Sequence, residues 1–254
     1  YLSHGWQVID IDGHNLDEIR VAIRQAQMEI DKPTVIIGKT VMAKNTFSME
    51  GLASTHGSPL PAEEIHATKE KLGLDSQQKF GLPEAILNDF RQSYKYYRQD
   101  VSAWKAAVDR KNQNPEFKKN WHLAFGSNVS PHIKPYQVGD KVATRKAWGR
   151  FLETYQIHQP FIVGGSADLE PSNATAGFAE TVGDYSKENT QGRNFAYGVR
   201  EFPMGTINNG IALHGGLKVF GATFFVFSDY ERPALRVRAL MEIPVVSIYT
   251  HDSI

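Results

Sequence analysis

The sequence predicts an α/β fold of parallel sheets with flanking helices, arranged as two incomplete domains joined by a helical linker. Short β-branched runs such as QVIDID, TVIIGKTV and IPVVSIYT alternate with amphipathic stretches towards both ends of the chain. Runs of this kind suit strands buried in parallel sheets. From Pro61 to about Lys119 the strand signals give way to charged, helical sequence.

In the first segment, strand Gln7 to Asp12, helix Leu16 to Ile30 and strand Thr34 to Val41 make a βαβ unit. Asn15 is placed to cap the helix, and Asp31-Lys32-Pro33 stops it. Ile19, Ala22, Ile23, Ala26 and Ile30 share one face, which the spacing predicts is the buried one. Ala43 to Pro61 is rich in small and turn residues and reads as an irregular loop of the kind that carries function or is disordered. PAEEIHATKEKLGL then has the acidic start and the glycine stop of a helix. Asn120 to Lys141, with two prolines and two glycines, is expected to hold the boundary before the second domain.

That domain is predicted to run from helix VATRKAWGRFLETYQIH to strand Phe161 to Leu169, then through a long polar loop from Glu170 to Gly192. Helix EFPMGTINNGIALHGG, strand VFGATFFVFSD, helix YERPALRVRALMEI and strand PVVSIYTHD follow. The alternation predicts a second mostly parallel sheet with helices on both faces. The chain opens on Tyr1 and stops at THDSI, straight after a strand, so it is expected to be a piece of something longer.

Composition narrows the function classes. Lys+Arg and Asp+Glu both number 28, so no net field favours nucleic acid or an anionic membrane. The absence of cysteine excludes disulfides, thiolate zinc and cysteine nucleophiles. No apolar run reaches the roughly 18 residues of a spanning helix, and no signal peptide is apparent, so a cytoplasmic location is the default. The nine histidines lack HxH or HExxH spacing, and GxxxxGK[ST], GxGxxG after a strand and GxSxG are all missing.

Several local patterns each carry a functional and a plainer reading. GGSADLEPS lies at the carboxyl end of an apolar strand, where open α/β sheets place ligands, although a simple strand-to-loop turn would look the same. Glu201, between Arg200 and Phe202 ahead of a small, mostly apolar run, is either a surface salt bridge, a first-turn carboxylate on the helix dipole, or a buried acid that needs a partner. Phe224, Phe227 and Tyr230, spaced three and three, form either an aromatic wall beside a flat ligand or a core stripe. His56 sits in a small-residue loop that a substrate can reach, and Arg145 and His251 could pair with a phosphate.

Taken in order, GWQVIDIDGHN, DKPTVIIGKT, THGSPL, ATRK, GGSADLEPSNAT, YGVREFPMG, NGIALHGG, TFFVFSDY and THDSI resemble the transketolase family, from Gly5 to the last residue. The resemblance implies the thiamine-diphosphate-binding fold. Residues 1–67 would be the C-terminal part of the diphosphate-binding domain, 68–141 a helical linker, and 142–254 the N-terminal part of the pyrimidine-binding domain. It implies that Glu201 hydrogen-bonds N1′ of the aminopyrimidine, and that Phe224, Phe227 and Tyr230 wall that ring. It further implies that His56 touches substrate near the reacting carbons, that Asp168 binds a sugar hydroxyl, and that Arg145, Ser172 and His251 hold the sugar phosphate. The implied reaction moves a two-carbon ketol unit reversibly from a ketose phosphate to an aldose phosphate. The implied cofactors are thiamine diphosphate with magnesium or calcium, and the implied assembly is a homodimer with the cofactor at its interface.

The family's GDG…N metal motif, its N-terminal histidines and its interface glutamate have no counterpart here, so no metal ligand is expected in this chain and the segment alone is not expected to complete an active site. Thr40 to Ala43 and Pro203 depart from the family pattern. Deoxyxylulose-phosphate synthase and dihydroxyacetone synthase share the chemistry and stand as alternatives, as does a catalytically dead transketolase-like module.

Overall fold

The computed structural model describes residues 1–126, 130 and 132–252, so part of the expected domain boundary and the last two residues of THDSI lie outside the described residues. The chain divides into two compact units, Tyr1–Tyr97 and Arg98–Ile254.

The first unit is built on a parallel pair, β1 (Gln7–Asp12) and β2 (Thr34–Lys39), joined by helix α1 (Leu16–Met28), with Gln7 opposite Thr34 in register. Asn15 caps α1 as predicted, accepting from the backbone N–H groups of Asp17 and Glu18. Glu18 completes a reciprocal cap by accepting from the Asp12 N–H at 2.8 Å and the Asn15 amide at 2.9 Å. The helix stops two residues before Ile30, because the Glu29 carboxylate accepts from the N–H groups of Asp31 and Lys32 and turns the chain out. Of the predicted apolar face only Ala22 is buried, while Ile23 and Ile30 stay exposed. A two-stranded sheet is too narrow to cover it.

The loop after β2 is irregular, as predicted, but it is pinned. Glu64, in helix α2 (Ala62–Lys71), accepts from the Ser48 N–H and hydroxyl, both at 2.7 Å, and from the Met49 N–H at 3.2 Å. Thr68 accepts from the Phe47 N–H at 2.9 Å, and Lys71 donates to the Thr46 carbonyl at 2.8 Å. The 28-residue helix α3 (Glu84–Lys111) carries the division between the units.

In the second unit, helix α4 (Pro115–Phe125) starts with Asn114 as cap and Pro115 in its first turn. Trp121 lies 4.6 Å from Phe125 and 6.3 Å from Trp104 between ring centroids. Helix α5 (Thr144–His158) leads into β3 (Ile162–Ser166), which lies beside β4 (Lys218–Phe224), itself beside β5 (Val246–Thr250), all parallel. Leu152, Ile162, Phe178 and Phe220 form the core against Trp148, Tyr155 and Val182. Phe220 is fully buried and meets Phe178 edge-on at 5.2 Å. Truncating either ring would cost about 3–5 kcal/mol.

The stretch from Glu170 to Gly192, read as one loop, instead folds two short helices, α6 (Glu170–Asn173) and α7 (Ala176–Val182). Pro171 presets the first turn of α6, and Phe178 drives α7 onto the core. The predicted strand Val219 to Asp229 ends at Phe224. A 3-10 turn at Phe225–Phe227 then opens helix α9 (Ser228–Leu240). Helix α8 (Glu201–His214) precedes β4 and packs on it and on α9. Pro203 sits in its first turn, where a backbone N–H has no intrahelical acceptor to lose.

Candidate functional site

Glu201 opens α8 and is only 5 % exposed. The surface salt bridge does not form: Arg200 donates from Nη1 to the Tyr197 carbonyl at 3.0 Å. Among the described residues, the donor found for the Glu201 carboxylate is the Thr223 hydroxyl, at a long 3.3 Å. A buried carboxylate with one weak donor has capacity for a further hydrogen-bonding partner. Thr223, the last residue before the aromatic run, ties Glu201 to the end of β4. Sequence reasoning assigned it no role, since a threonine in a strand needs no explanation.

The aromatic run is not core. Phe224 and Phe227 are half-buried and Tyr230 is 64 % exposed. Their rings follow one another, Phe224 to Phe227 at 5.8 Å and 22°, Phe227 to Tyr230 at 5.9 Å and 26°. The run crosses a strand end, a turn and a helix start, which lines up three side chains that no single element could stack. Asp252 holds the turn by accepting from the Val226 N–H at 2.7 Å. His251 continues the row, 5.1 Å from Phe224.

His251 also joins the second cluster. Arg145 Nη1 lies 2.9 Å from its ring nitrogens and 3.5 Å from the Ser172 carbonyl oxygen, so the three residues expected to hold a phosphate come together. Thr144 and Arg145 open α5, whose N-terminus has no side-chain cap and whose first turn holds no acidic residue. Free N–H groups and the positive end of a helix favour an anion there. Thr144, Arg145, Trp148, Thr250 and His251 line a cleft of about 580 Å³.

Behind it lies a buried polar chain. Ser166 donates to the Asn173 side-chain oxygen at 2.7 Å, and Asn173 donates to the Thr250 hydroxyl at 2.6 Å. The Leu169 N–H donates to Ser166 at 2.9 Å. This chain fixes Asp168 and Ser172 relative to β5. Asp168 is exposed and has φ +62°, a left-handed conformation that aspartate tolerates better than most residues. The glycines before it serve the fold rather than a ligand. A Cβ on Gly165 would sit 2.2 Å from the Phe195 carbonyl oxygen, because Arg193 to Phe195 runs alongside β3 and bonds to it.

His56 lies in the first unit, exposed, directly after a 3-10 turn at Ala53–Thr55. Burial pushes the Tyr197 and Tyr249 phenols well above the ordinary tyrosine range, and a hydrogen bond to the Glu231 carboxylate adds to this at Tyr249. Among the described residues, no group of three or more His, Cys, Asp or Glu side chains is placed to hold a metal, and no helix is long and apolar enough to cross a membrane.

Comparison with known proteins bears on the family to which the chain belongs. The family signature described as transketolase, thiamine diphosphate binding domain, matches residues 1–126, and that described as transketolase, pyrimidine binding domain, matches residues 140–254. Transketolase of Halalkalibacterium halodurans is 40% identical over 260 residues, covering 100% of this chain and 39% of its own length. That of Bacillus subtilis is 39% identical, covering 98% and 38%. The crystal structure of Campylobacter jejuni transketolase superposes with a TM-score of 0.83 at 35% identity, over 99% of this chain and 38% of the other. A Pichia stipitis transketolase in complex with sedoheptulose 7-phosphate gives 0.84 at 30% identity, over 100% and 39%. This chain thus spans about two fifths of the length of the relatives it matches. With both signatures matched in order along nearly its whole length, the chain belongs to the transketolase family.

Proposed function

We propose that the protein carrying this chain is a thiamine-diphosphate-dependent transketolase, moving a two-carbon ketol unit between sugar phosphates in the pentose phosphate pathway. The observation that carries the reading is Glu201: a carboxylate buried at a helix start, with one long hydrogen bond, beside an open row of aromatic rings. An aminopyrimidine fits both features, with a ring nitrogen for the acid and a flat face for the rings. When bound, thiamine diphosphate supplies an acidic thiazolium carbon and an electron sink for carbon–carbon cleavage.

This chain's own residues have separate tasks. Glu201 holds a proton at N1′ of the pyrimidine and so controls the basicity of the neighbouring amino group. Phe224, Phe227 and Tyr230 grip the ring and keep water from it. Arg145, with Ser172 and His251, binds the sugar phosphate, where a guanidinium fork suits the anion. Asp168 accepts from a sugar hydroxyl, and His56 carries a proton or donates a hydrogen bond near the reacting carbons. The accompanying magnesium or calcium finds no ligand set among the described residues.

Within this reading, residues 1–67 close the diphosphate-binding domain, 68–141 form the linker and 142–254 open the pyrimidine-binding domain. Helix α8 leaves Phe202, next to Glu201, and Ile207 and Leu213, further along it, exposed, which supports a homodimer in which a second copy covers part of this helix. The proposed location is cytoplasmic. The test is transfer from xylulose 5-phosphate to ribose 5-phosphate by the full native chain. Cofactor-dependent transfer is expected. Preference for formaldehyde as acceptor would instead identify a dihydroxyacetone synthase, and failure to bind thiamine diphosphate would indicate a dead module.

A further inference from the structure

Helix α9 presents a charged face to the interior. Glu231, Ala234 and Arg238 are 2 %, 1 % and 8 % exposed and lie against α8. The close approach is made at Gly205, where a Cβ would stand 2.8 Å from both Ala234 Cβ and the Glu231 side chain. Glu231 accepts from Arg238 Nη2 at 3.1 Å and from the Tyr249 hydroxyl at 2.8 Å. Arg238 also donates from Nε to Asn209 Oδ1 at 2.8 Å, to the Gly205 carbonyl at 3.5 Å and to the Ser247 hydroxyl. Asn209 returns a bond to the Ala234 carbonyl at 3.0 Å.

Three elements meet in this network, and each carries part of the site. On α8, Gly205 and Asn209 lie about one and two turns beyond Glu201. On α9, Glu231 directly follows Tyr230 of the aromatic row. On β5, Tyr249 stands two residues before His251. A buried ion pair gives up nearly as much in desolvation as it gains in attraction, so apolar residues of similar volume would serve stability as well or better. What apolar residues cannot supply is the set of directional bonds to a backbone carbonyl, an amide, a hydroxyl and a phenol.

We propose that Glu231 and Arg238 are positioning residues: their network sets the register of α8, α9 and β5, so that Glu201, the aromatic row and His251 face one bound cofactor and substrate. The proposal rests on the cofactor reading above. It is tested in the full native chain with Glu231→Gln, Arg238→Lys and the double apolar variant Glu231→Leu/Arg238→Met. The single variants are expected to melt below wild type, with no rescue by lysine, which lacks the planar fork.

The double variant is expected to melt at or above wild type. In its ligand-free form, however, amide exchange across Phe202–Asn209 should be at least tenfold faster, and thiamine diphosphate should bind at least tenfold more weakly. A double variant with wild-type exchange and wild-type affinity would overturn the proposal. If wild type itself bound no thiamine diphosphate, the cofactor reading would fall. The ligand-free exchange rates would then decide the positioning claim by themselves, unchanged rates overturning it and accelerated rates supporting it.

Discussion

Gly165→Ala tests how the site's floor is assembled. An added Cβ would lie 2.2 Å from the Phe195 carbonyl oxygen and 3.0 Å from Asn194 Oδ1. Ordinary van der Waals contact begins near 3.4 Å, so the Arg193 to Phe195 segment must retreat by about 1 Å. That retreat breaks two bonds to β3: Phe195 N–H to the Gly164 carbonyl at 2.9 Å, and Gly164 N–H to the Arg193 carbonyl at 3.1 Å. Losing them costs about 1 kcal/mol each, and overpacking adds about 1–3 kcal/mol, for a total of about 3–5 kcal/mol. The same substitution at Gly210, in helix α8 with nothing within 4 Å, is expected to stabilise by about 0.5–1 kcal/mol. Equilibrium urea unfolding of the two variants reads both effects. A Gly165→Ala loss below about 1 kcal/mol would refute the close-approach account, since one broken hydrogen bond alone should cost that much.

Other expectations follow from the same geometry. Hydrogen bonds from Ser48, chiefly its N–H and hydroxyl, hold the Glu64 carboxyl below the usual carboxylate range. Its contribution to stability is therefore full above the unfolded carboxyl's pKa and disappears as pH falls through the lower folded value. Glu64→Gln should weaken the acid-side decline in stability and free the Ala43 to Pro61 loop, read as faster exchange at Ser48 and Met49; an unchanged pH profile would contradict the pin. Burial raises the pKa of three of the ten tyrosines, Tyr155, Tyr197 and Tyr249, the latter two most, so their stabilisation is full below the ordinary tyrosine pKa and is lost as pH rises beyond it. Absorbance titration should find the Tyr197 and Tyr249 phenols ionising only as the protein unfolds. His56→Ala in the full native chain is expected to slow turnover more than it weakens cofactor binding, and unchanged turnover would remove His56 from the mechanism.

Much of the fold was legible because each strand of the sheets is a short β-branched or glycine-spaced run between recognisable helices. Asn15 was readable as a cap from its side-chain chemistry alone, and the parallel pairing of the strands followed from the alternation with helices. The exposure of Ile23 and Ile30 was not, because periodicity defines an apolar face but not what lies over it. The helices α6 and α7 were hidden in polar sequence, since their stability comes from Phe178 and Asn173 reaching the core rather than from helical periodicity.

For the site, the spacing of Phe224, Phe227 and Tyr230 left an aromatic wall and a core stripe both open, because the predicted strand ran on to Asp229, whereas the row spans three element types. Arg145, Ser172 and His251 were proposed together only through resemblance, and 106 residues separate Arg145 from the histidine it touches. Glu231 and Arg238 gave no signal, because charges on an amphipathic helix ordinarily face solvent. Only the packing of α8 against α9, at Gly205 and Ala234, reveals that this face is inside.

In the proposed reaction, Glu201 controls the acidity of a bound thiamine diphosphate. The most direct measurement is the rate of C2 proton exchange of the cofactor bound to the full native chain, compared between wild type and Glu201→Gln. An exchange rate lower by about 10²–10⁴-fold is expected in the variant, the usual worth of a positioned acid–base group. Equal rates at equal occupancy would contradict it.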